Sequence, residues 1–361
     1  MKSIEHLFKK IVLGIANFLF NKKLAISDAI DITKVENILI YRPEKIGDLF
    51  VSLPLMAALK TAKPQMKIDI IISPTAYPLI AGDRRFHEIF LYKKSLWRDL
   101  VTARRIRKNN YDLIIDLVYF DSTTAAISVI YFSKKRAPKI AVGKKKFTRY
   151  YDLVYEIFEK RHMIESILQP LKLFGIFPAS QDYFVSPHID SAAKIRAQNF
   201  VAEFKLDHGS ILMGINISAG ERNRVWPIEN YRALLNELRQ KLPNLRPIVF
   251  AAPEDYEKAV TLTKDVPKAV VIPPGLSLLG VSALIPHLGL FISSDTSLIH
   301  IARSFHIPVV GLYIPYNENF KRWRPLGQNY GVLVAPNNES IDKISLEAVV
   351  EEIRRVMRET Q

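Results

Sequence analysis

Three short runs carry residue types that could do chemistry. The first is Arg42-Pro43-Glu44-Lys45-Ile46-Gly47-Asp48, where a carboxylate follows a glycine just beyond an apolar run at residues 38–41. A carboxylate fixed there can take a proton from a hydroxyl as a general base. It is equally suited to N-capping the helix that follows. The second run is Ser218-Ala219-Gly220-Glu221-Arg222-Asn223-Arg224. Loop amides together with an arginine suit a phosphate. The third is Ser293-Ser294-Asp295-Thr296-Ser297, with His300 four residues after Thr296 and so on the same helical face. Helix-start amides with the Thr296 and Ser297 hydroxyls would form an anion site, to which His300 could add a donor. Locally, Asp295 and Thr296 also suit helix capping and His300 suits a half-buried structural histidine, so both readings stay open.

The elements around these runs alternate between strand and helix. Residues 38–41 read as a strand and 49–60 as a helix, with Gly47 permitting a tight or left-handed turn between them. In a parallel α/β sheet ligands collect at the carboxyl ends of strands, which puts residues 42–48 at a site. Strands are predicted at 68–72, 111–117 and 139–142, and a helix at 161–174. Residues 177–187, with two prolines and little periodicity, read as an interdomain linker. A second series follows, with a helix at 194–204 and a strand at 211–217. Another helix opens at Trp226-Pro227, with the proline in its first turn, and runs to 242. Strands are predicted at 247–251, 270–272, 290–293 and 308–312, and a closing helix at 341–358.

A chain of 361 residues suggests two domains, each with its own core. There is no cysteine, which excludes disulfides, thiolate metal sites and cysteine nucleophiles. A net charge of +15 points to anionic partners, yet no nucleic-acid motif is present and no nucleic-acid partner is expected. GxGxxG does not follow Ile40, and GxxxxGK[ST], HExxH and GxSxG are missing throughout. Dehydrogenases, P-loop NTPases, zinc proteases and serine hydrolases are therefore poorly supported.

Residues 1–35 stand apart. Ile4, Leu7, Phe8, Ile11, Val12, Ile15, Phe18 and Leu19 recur at helical spacing, accompanied by Lys2, Lys9, Lys10, Lys22 and Lys23. The apolar centre is shorter than a bilayer span needs, and no small-residue cleavage site follows, so a signal peptide is not expected. The pattern fits a helix lying in a membrane interface and fits a helix packed on protein. Between Asp121 and Asp152 there is no acidic residue but eight basic ones, among them Lys144, Lys145, Lys146 and Arg149. Such a run is either a solvated face or a docking face for an anionic partner.

Taken together, ILIYRPEKIGDLFVSLPLMAALK, GINISAGERNRVWPIENYRALLNEL and ISSDTSLIHIARSFHIPVVGLY resemble glycosyltransferase family 9, the ADP-heptose:lipopolysaccharide heptosyltransferases, in order and spacing. The resemblance runs from about Val35 to the closing helix. It implies an α/β GT-B fold, with two Rossmann-like domains facing a central cleft, to which the N-terminal amphipathic helix is added. The domains expected are 1–35 as the basic amphipathic segment, 36–180 for the acceptor, 181–338 for the nucleotide sugar, and 339–361 as a closing helix crossing back to the first domain. The resemblance also implies inverting transfer of heptose or a related sugar from an ADP-sugar to the lipopolysaccharide inner core, with no metal and no cofactor. Asp48 matches the proposed general base. Arg224 matches a basic position contacting donor phosphates, and Asp295, Thr296 and His300 match the donor motif. At Ser297 many members have glycine. Ser218, Gly220 and Arg222 complete the expected nucleotide-sugar set. Arg42, Lys45, Lys144, Lys145, Lys146 and Arg149 are expected to meet an anionic lipid A–core acceptor. The place of action implied is the cytoplasmic face of a Gram-negative inner membrane; residues 1–35 lie outside the resemblance, and it is their own basic amphipathic pattern that would put them on its surface. Two alternatives accompany this reading: a GT-B transferase or epimerase using another nucleotide sugar, and a non-catalytic lipopolysaccharide- or membrane-binding protein.

Overall fold

The computed structural model describes the chain apart from residues 1, 27–28, 204–208, 265, 316, 328, 337–339 and 360–361, and the side chains of 2–6, 96–97 and 317–319. The side chains of Lys2 and Ile4, the expected helix end at Phe204 and the expected boundary between 338 and 339 lie outside the described residues. The chain divides into two units, Met1–Val185 and Ser186–Gln361, with the division inside the expected linker.

The first unit holds α1 (Lys2–Phe20), β1 (Asn37–Arg42), α2 (Ile46–Phe50), α3 (Leu53–Ala62), β2 (Lys67–Ile72), β3 (Glu88–Leu91), α4 (Leu96–Lys108), β4 (Leu113–Asp116), α5 (Thr123–Ser133), β5 (Lys139–Val142), β6 (Leu153–Tyr155) and α6 (Met163–Ile167). The strands form one parallel sheet in the order β3-β2-β1-β4-β5-β6. Ile38, Leu39, Ile40 and Tyr41 are all buried, as a parallel strand covered on both faces requires. The chain builds outward from β1 to β3, then returns to lay β4 on the other side of β1, with Tyr41 paired to Asp116. At such a reversal the loops leaving the two strands diverge and open a crevice at their carboxyl ends.

The second unit repeats this plan. It contains α7 (Ser191–Ala202), β7 (Ile211–Asn216), α8 (Ile228–Lys241), β8 (Leu245–Phe250), α9 (Tyr256–Thr263), β9 (Val270–Val271), α10 (Leu278–Leu284), β10 (Leu290–Ser294), α11 (Ser297–Ser304), β11 (Val309–Tyr313), α12 (Asn317–Trp323), β12 (Tyr330–Val334) and α13 (Leu346–Arg358). Its parallel sheet runs β12-β11-β10-β7-β8-β9, reversing between β7 and β10, where Ser293 pairs with Asn216.

Several expectations change. The helix expected at 49–60 starts earlier and splits in two, with Pro54 in the first turn of α3. Gly47 lies inside α2 and is not left-handed. The helix expected at 161–174 stops at Ile167, and Pro170 opens a 3₁₀ segment in its place. Pro227 sits at the N-cap of α8 rather than in its first turn. Strands β3, β6 and β12 and helix α5 add to those read from the sequence. Val349, Val350, Ile353 and Val356 of α13 form a buried stripe at helical spacing and join Tyr231, Leu234 and Leu238 of α8 in the core of the second unit.

Ile353 is fully buried in that core. Ile353→Ala is therefore expected to destabilise the second unit by about 2–4 kcal/mol through lost burial and a residual cavity. A urea titration checks this, and an unchanged midpoint would contradict the packing of α13.

Candidate active site

In the first unit, β1 ends on Arg42, and its backbone continues into the loop that α2 closes. The Arg42 side chain is buried, and its guanidinium is divided among four acceptors. Nη1 donates to Glu44 Oε2 at 2.6 Å and to the Leu117 carbonyl after β4. Nη2 donates to Asp48 Oδ1 at 3.2 Å, and Nε to the Asp48 carbonyl at 3.1 Å. The guanidinium also lies over the Tyr119 ring, 5.6 Å from its centre. Asp48 is the third residue of α2 and not its N-cap: Oδ2 accepts from the Lys45 amide at 3.1 Å, and Ser52 Oγ donates to its carbonyl at 2.8 Å. The carboxylate is thus fixed from two sides while its side chain keeps 11% exposure.

A second buried pair lies beside it. Asp116 ends β4, and its Oδ2 meets Lys144 Nζ at 3.0 Å and the Tyr151 hydroxyl at 2.5 Å. Lys144 also donates to the Phe120 carbonyl at 3.0 Å. The chain can turn inward here because Gly143 has φ +73°, and a Cβ on it would come within 2.2 Å of the Tyr119 carbonyl oxygen. Burial, with Asp48 and Asp116 nearby, raises Glu44 to about 7, although Arg42 and Lys144 oppose the shift.

Two acceptor-binding expectations are corrected by this geometry. Arg42 and Lys144 both have side chains with no exposure, and their donors are committed to internal acceptors. Each offsets buried carboxylate charge and cannot reach an external ligand from this position. Lys45, Lys145, Lys146 and Arg149 are exposed, as a ligand-facing role requires. Arg149 stacks on Tyr150 at 4.8 Å, and the Lys146 amide donates to Asp121.

In the second unit, Asn216 ends β7, and its Nδ2 donates to Ser293 Oγ at 2.9 Å, the Ser218 carbonyl at 3.0 Å and Thr296 Oγ1 at 3.4 Å. This amide ties the loop after β7 to the loop after β10 across the reversal in strand order. Ser218 Oγ donates to Asp255 at 2.7 Å and accepts from the Ala252 amide at 2.9 Å, so its hydroxyl is used internally. Gly220 and Arg222 are exposed. Arg224 Nη1 donates to Asp295 Oδ2 at 3.2 Å, and Glu221 lies 3.6 Å from Nε. Burial, with Glu221 adding to it, raises Asp295, while Arg224 pulls it down. Thr296 is the N-cap of α11 by position, but its hydroxyl turns to Ser293 and Asn216 and no side chain caps that helix. The amides that open α11 are the resource an anion would use. His300, one turn on, packs its ring edge-on against Trp323 at 5.9 Å.

The sequence pattern of glycosyltransferase family 9 (heptosyltransferase) matches residues 100–351. The chain belongs to glycosyltransferase family 9. Lipopolysaccharide heptosyltransferase 1 of Escherichia coli K12 is 22% identical over 333 residues, covering 88% of this chain and 98% of that protein. The glycosyl transferase family 9 structure from Veillonella parvula superposes with a TM-score of 0.78 at 19% identity, covering 92% of this chain and all of that one. E. coli heptosyltransferase WaaC with ADP-2-deoxy-2-fluoro heptose gives 0.70 at 20% identity, covering 88% and 99%. The family assignment makes the chain a glycosyltransferase with a GT-B-like α/β fold of two Rossmann-like units.

This family 9 chain holds further site residues that the motif reading missed. Glu44 was present in the first run without a role, and Asn216 showed only as a polar residue ending an apolar strand. Asp116 stood at a strand end, but nothing local signalled its pairing with Lys144 and Tyr151.

Glu44 gives a pH test. Its folded value, about 7, exceeds the ordinary 4.5, so the folded state favours the protonated acid. Stability from this group is complete below about pH 4.5 and is lost as pH rises through about 7. The stability of Glu44→Gln relative to wild type is expected to rise by about 1–3 kcal/mol between about pH 5 and about pH 8. Chemical denaturation across that range checks it, and parallel curves would contradict it.

Proposed function

We propose that this family 9 enzyme is an inverting, metal-independent transferase that moves heptose or a related sugar from an ADP-sugar to the lipopolysaccharide inner core. One observation carries the reading. The carboxylate set and the cation–hydroxyl set each sit at the strand-order reversal of their own unit, where this fold class binds its ligands. The relatives named for lipopolysaccharide heptosyl transfer, and the similar structure holding an ADP-heptose analogue, support the substrate class.

The chemistry divides into two tasks, and each unit carries one. Inversion in a single displacement needs a base on the acceptor hydroxyl, opposite the departing diphosphate. Asp48 is that base: Arg42 and the Lys45 amide orient it, and its side chain keeps 11% exposure. The leaving diphosphate gathers negative charge. Arg224, His300, the Ser297 hydroxyl and the first amides of α11 stabilise it without a divalent ion, while the Thr296 hydroxyl, bonded to Ser293 and Asn216, holds the loop that presents them. Lys45, Lys145, Lys146 and Arg149 offer exposed cations to the phosphates and carboxylates of a lipid A–core acceptor.

Asp48→Asn is expected to lower transfer by about a thousand-fold or more, as loss of a base and its orientation does, while ADP still raises the melting temperature. Transfer near the wild-type rate would overturn the role of Asp48. The wild type assayed in excess EDTA is expected to keep its rate, and loss restored by a divalent ion would overturn the metal-independent reading.

Arg224→Ala is expected to weaken ADP binding by about ten-fold, the value of one charge-assisted contact. Calorimetry reads this directly, and unchanged affinity would remove Arg224 from the donor site.

A further inference from the structure

Helix α1 presents its more apolar side outward. Its inner stripe, Leu13, Ala16 and Phe20, packs on α5 and joins the core of the first unit. Arg107 of α4 fastens this seam, with its guanidinium 4.8 Å from the Phe20 ring centre and 4.3 Å from that of Tyr131. The opposite side exposes Leu7, Phe8, Ile11, Ile15, Phe18 and Leu19, with Phe8 at 65% and Phe18 at 85%. At 3.6 residues per turn these six fall within an arc of about 120°. A helix whose only role was to cover α5 would turn its larger apolar side inward. A continuous exposed ridge of this kind marks an interaction surface.

Charge identifies what covers it. Between Glu5 and Asp28 the chain has no acidic residue and four lysines, Lys9, Lys10, Lys22 and Lys23, of which Lys10, Lys22 and Lys23 are exposed. No described helix is long and apolar enough to cross a membrane. An apolar ridge bordered by lysines suits the boundary between acyl chains and anionic headgroups.

The contacts of α1 also fix its direction. After it, Lys139 Nζ donates to the Lys22 carbonyl at 3.1 Å, and the Leu24 amide donates to Asp152 at 2.8 Å. Lys139 opens β5 and Asp152 precedes β6, so the chain leaves α1 at the amino edge of the sheet. Phe20, the last residue of α1, meets Tyr131 near the end of α5 edge-on at 5.8 Å. Helix α1 therefore ends at the edge of the sheet opposite the one that carries Glu44 and Asp48.

We infer that the outer face of α1 is a docking surface for an anionic lipid bilayer, which it enters lying flat. This surface lies outside the site proposed for transfer, and its test needs no turnover.

The test is flotation of the full chain with vesicles of phosphatidylcholine alone or mixed with phosphatidylglycerol. Wild type is expected to float with the mixed vesicles, less so at high salt, and to stay behind with phosphatidylcholine alone. Phe8→Glu/Phe18→Glu changes two exposed side chains and should fold normally, which circular dichroism checks. It is expected to lose about ten-fold or more of the vesicle affinity. Three results would overturn the proposal: no flotation by the wild type, equal flotation by the double variant, or a wild-type dimer that ignores vesicles and becomes monomeric in the double variant. The last would assign the ridge to a second copy of the chain.

Discussion

The first unit depends on one buried guanidinium. Arg42 ends β1, and without it Glu44 and Asp48 would bring two carboxylates together in a nearly dry loop. A lone buried charge costs several kcal/mol, and removing one partner of such a set costs about 3–5 kcal/mol. By bonding both carboxylates, the Asp48 carbonyl and the Leu117 carbonyl, Arg42 joins the loops after β1 and β4. That is the position where the strand order reverses and the loops would otherwise diverge. The same bonds keep Arg42 from reaching a ligand. Lys144 does for Asp116 what Arg42 does for Asp48, so two of the most basic-looking site residues are internal counter-charges.

The second unit closes its reversal with a neutral group. Asn216 reaches Ser218, Ser293 and Thr296, fixing the two loops without adding charge. Arg224 is held on Asp295, and the start of α11 carries no side-chain cap. The first amides of α11 are thereby left for an anion, beside an arginine paired with Asp295. The contrast between the units, carboxylate in one and amide-plus-cation in the other, matches the two halves of a displacement reaction.

Much of this was legible in the sequence because parallel strands are apolar on both faces and end in polar loops. Residues 38–41 and 290–293 announced β1 and β10, and the residues just beyond them form the candidate site. The three-residue edge strand β6, with a polar residue on either side, carries too little apolar signal to be read. Helix breaks at Val51–Ser52 and near Pro170 follow from proline chemistry that periodicity alone obscures. Exposure was the larger gap. Sequence shows that Arg42, Lys144 and Arg149 are cations, but only packing shows that the first two are buried while the third faces outward. Likewise the pattern of α1 could not separate lipid from protein as its partner, because the helix packs one stripe and exposes the other.

In the proposed single displacement, Asp48, held by Arg42, activates the acceptor hydroxyl. The stereochemistry of the product tests it most directly. With a donor ADP-sugar of known anomeric configuration, nuclear magnetic resonance of the new glycosidic linkage should show the opposite configuration at the transferred carbon. Retention would contradict the account, because it requires two displacements or front-face attack and leaves no place for a base acting once on the acceptor.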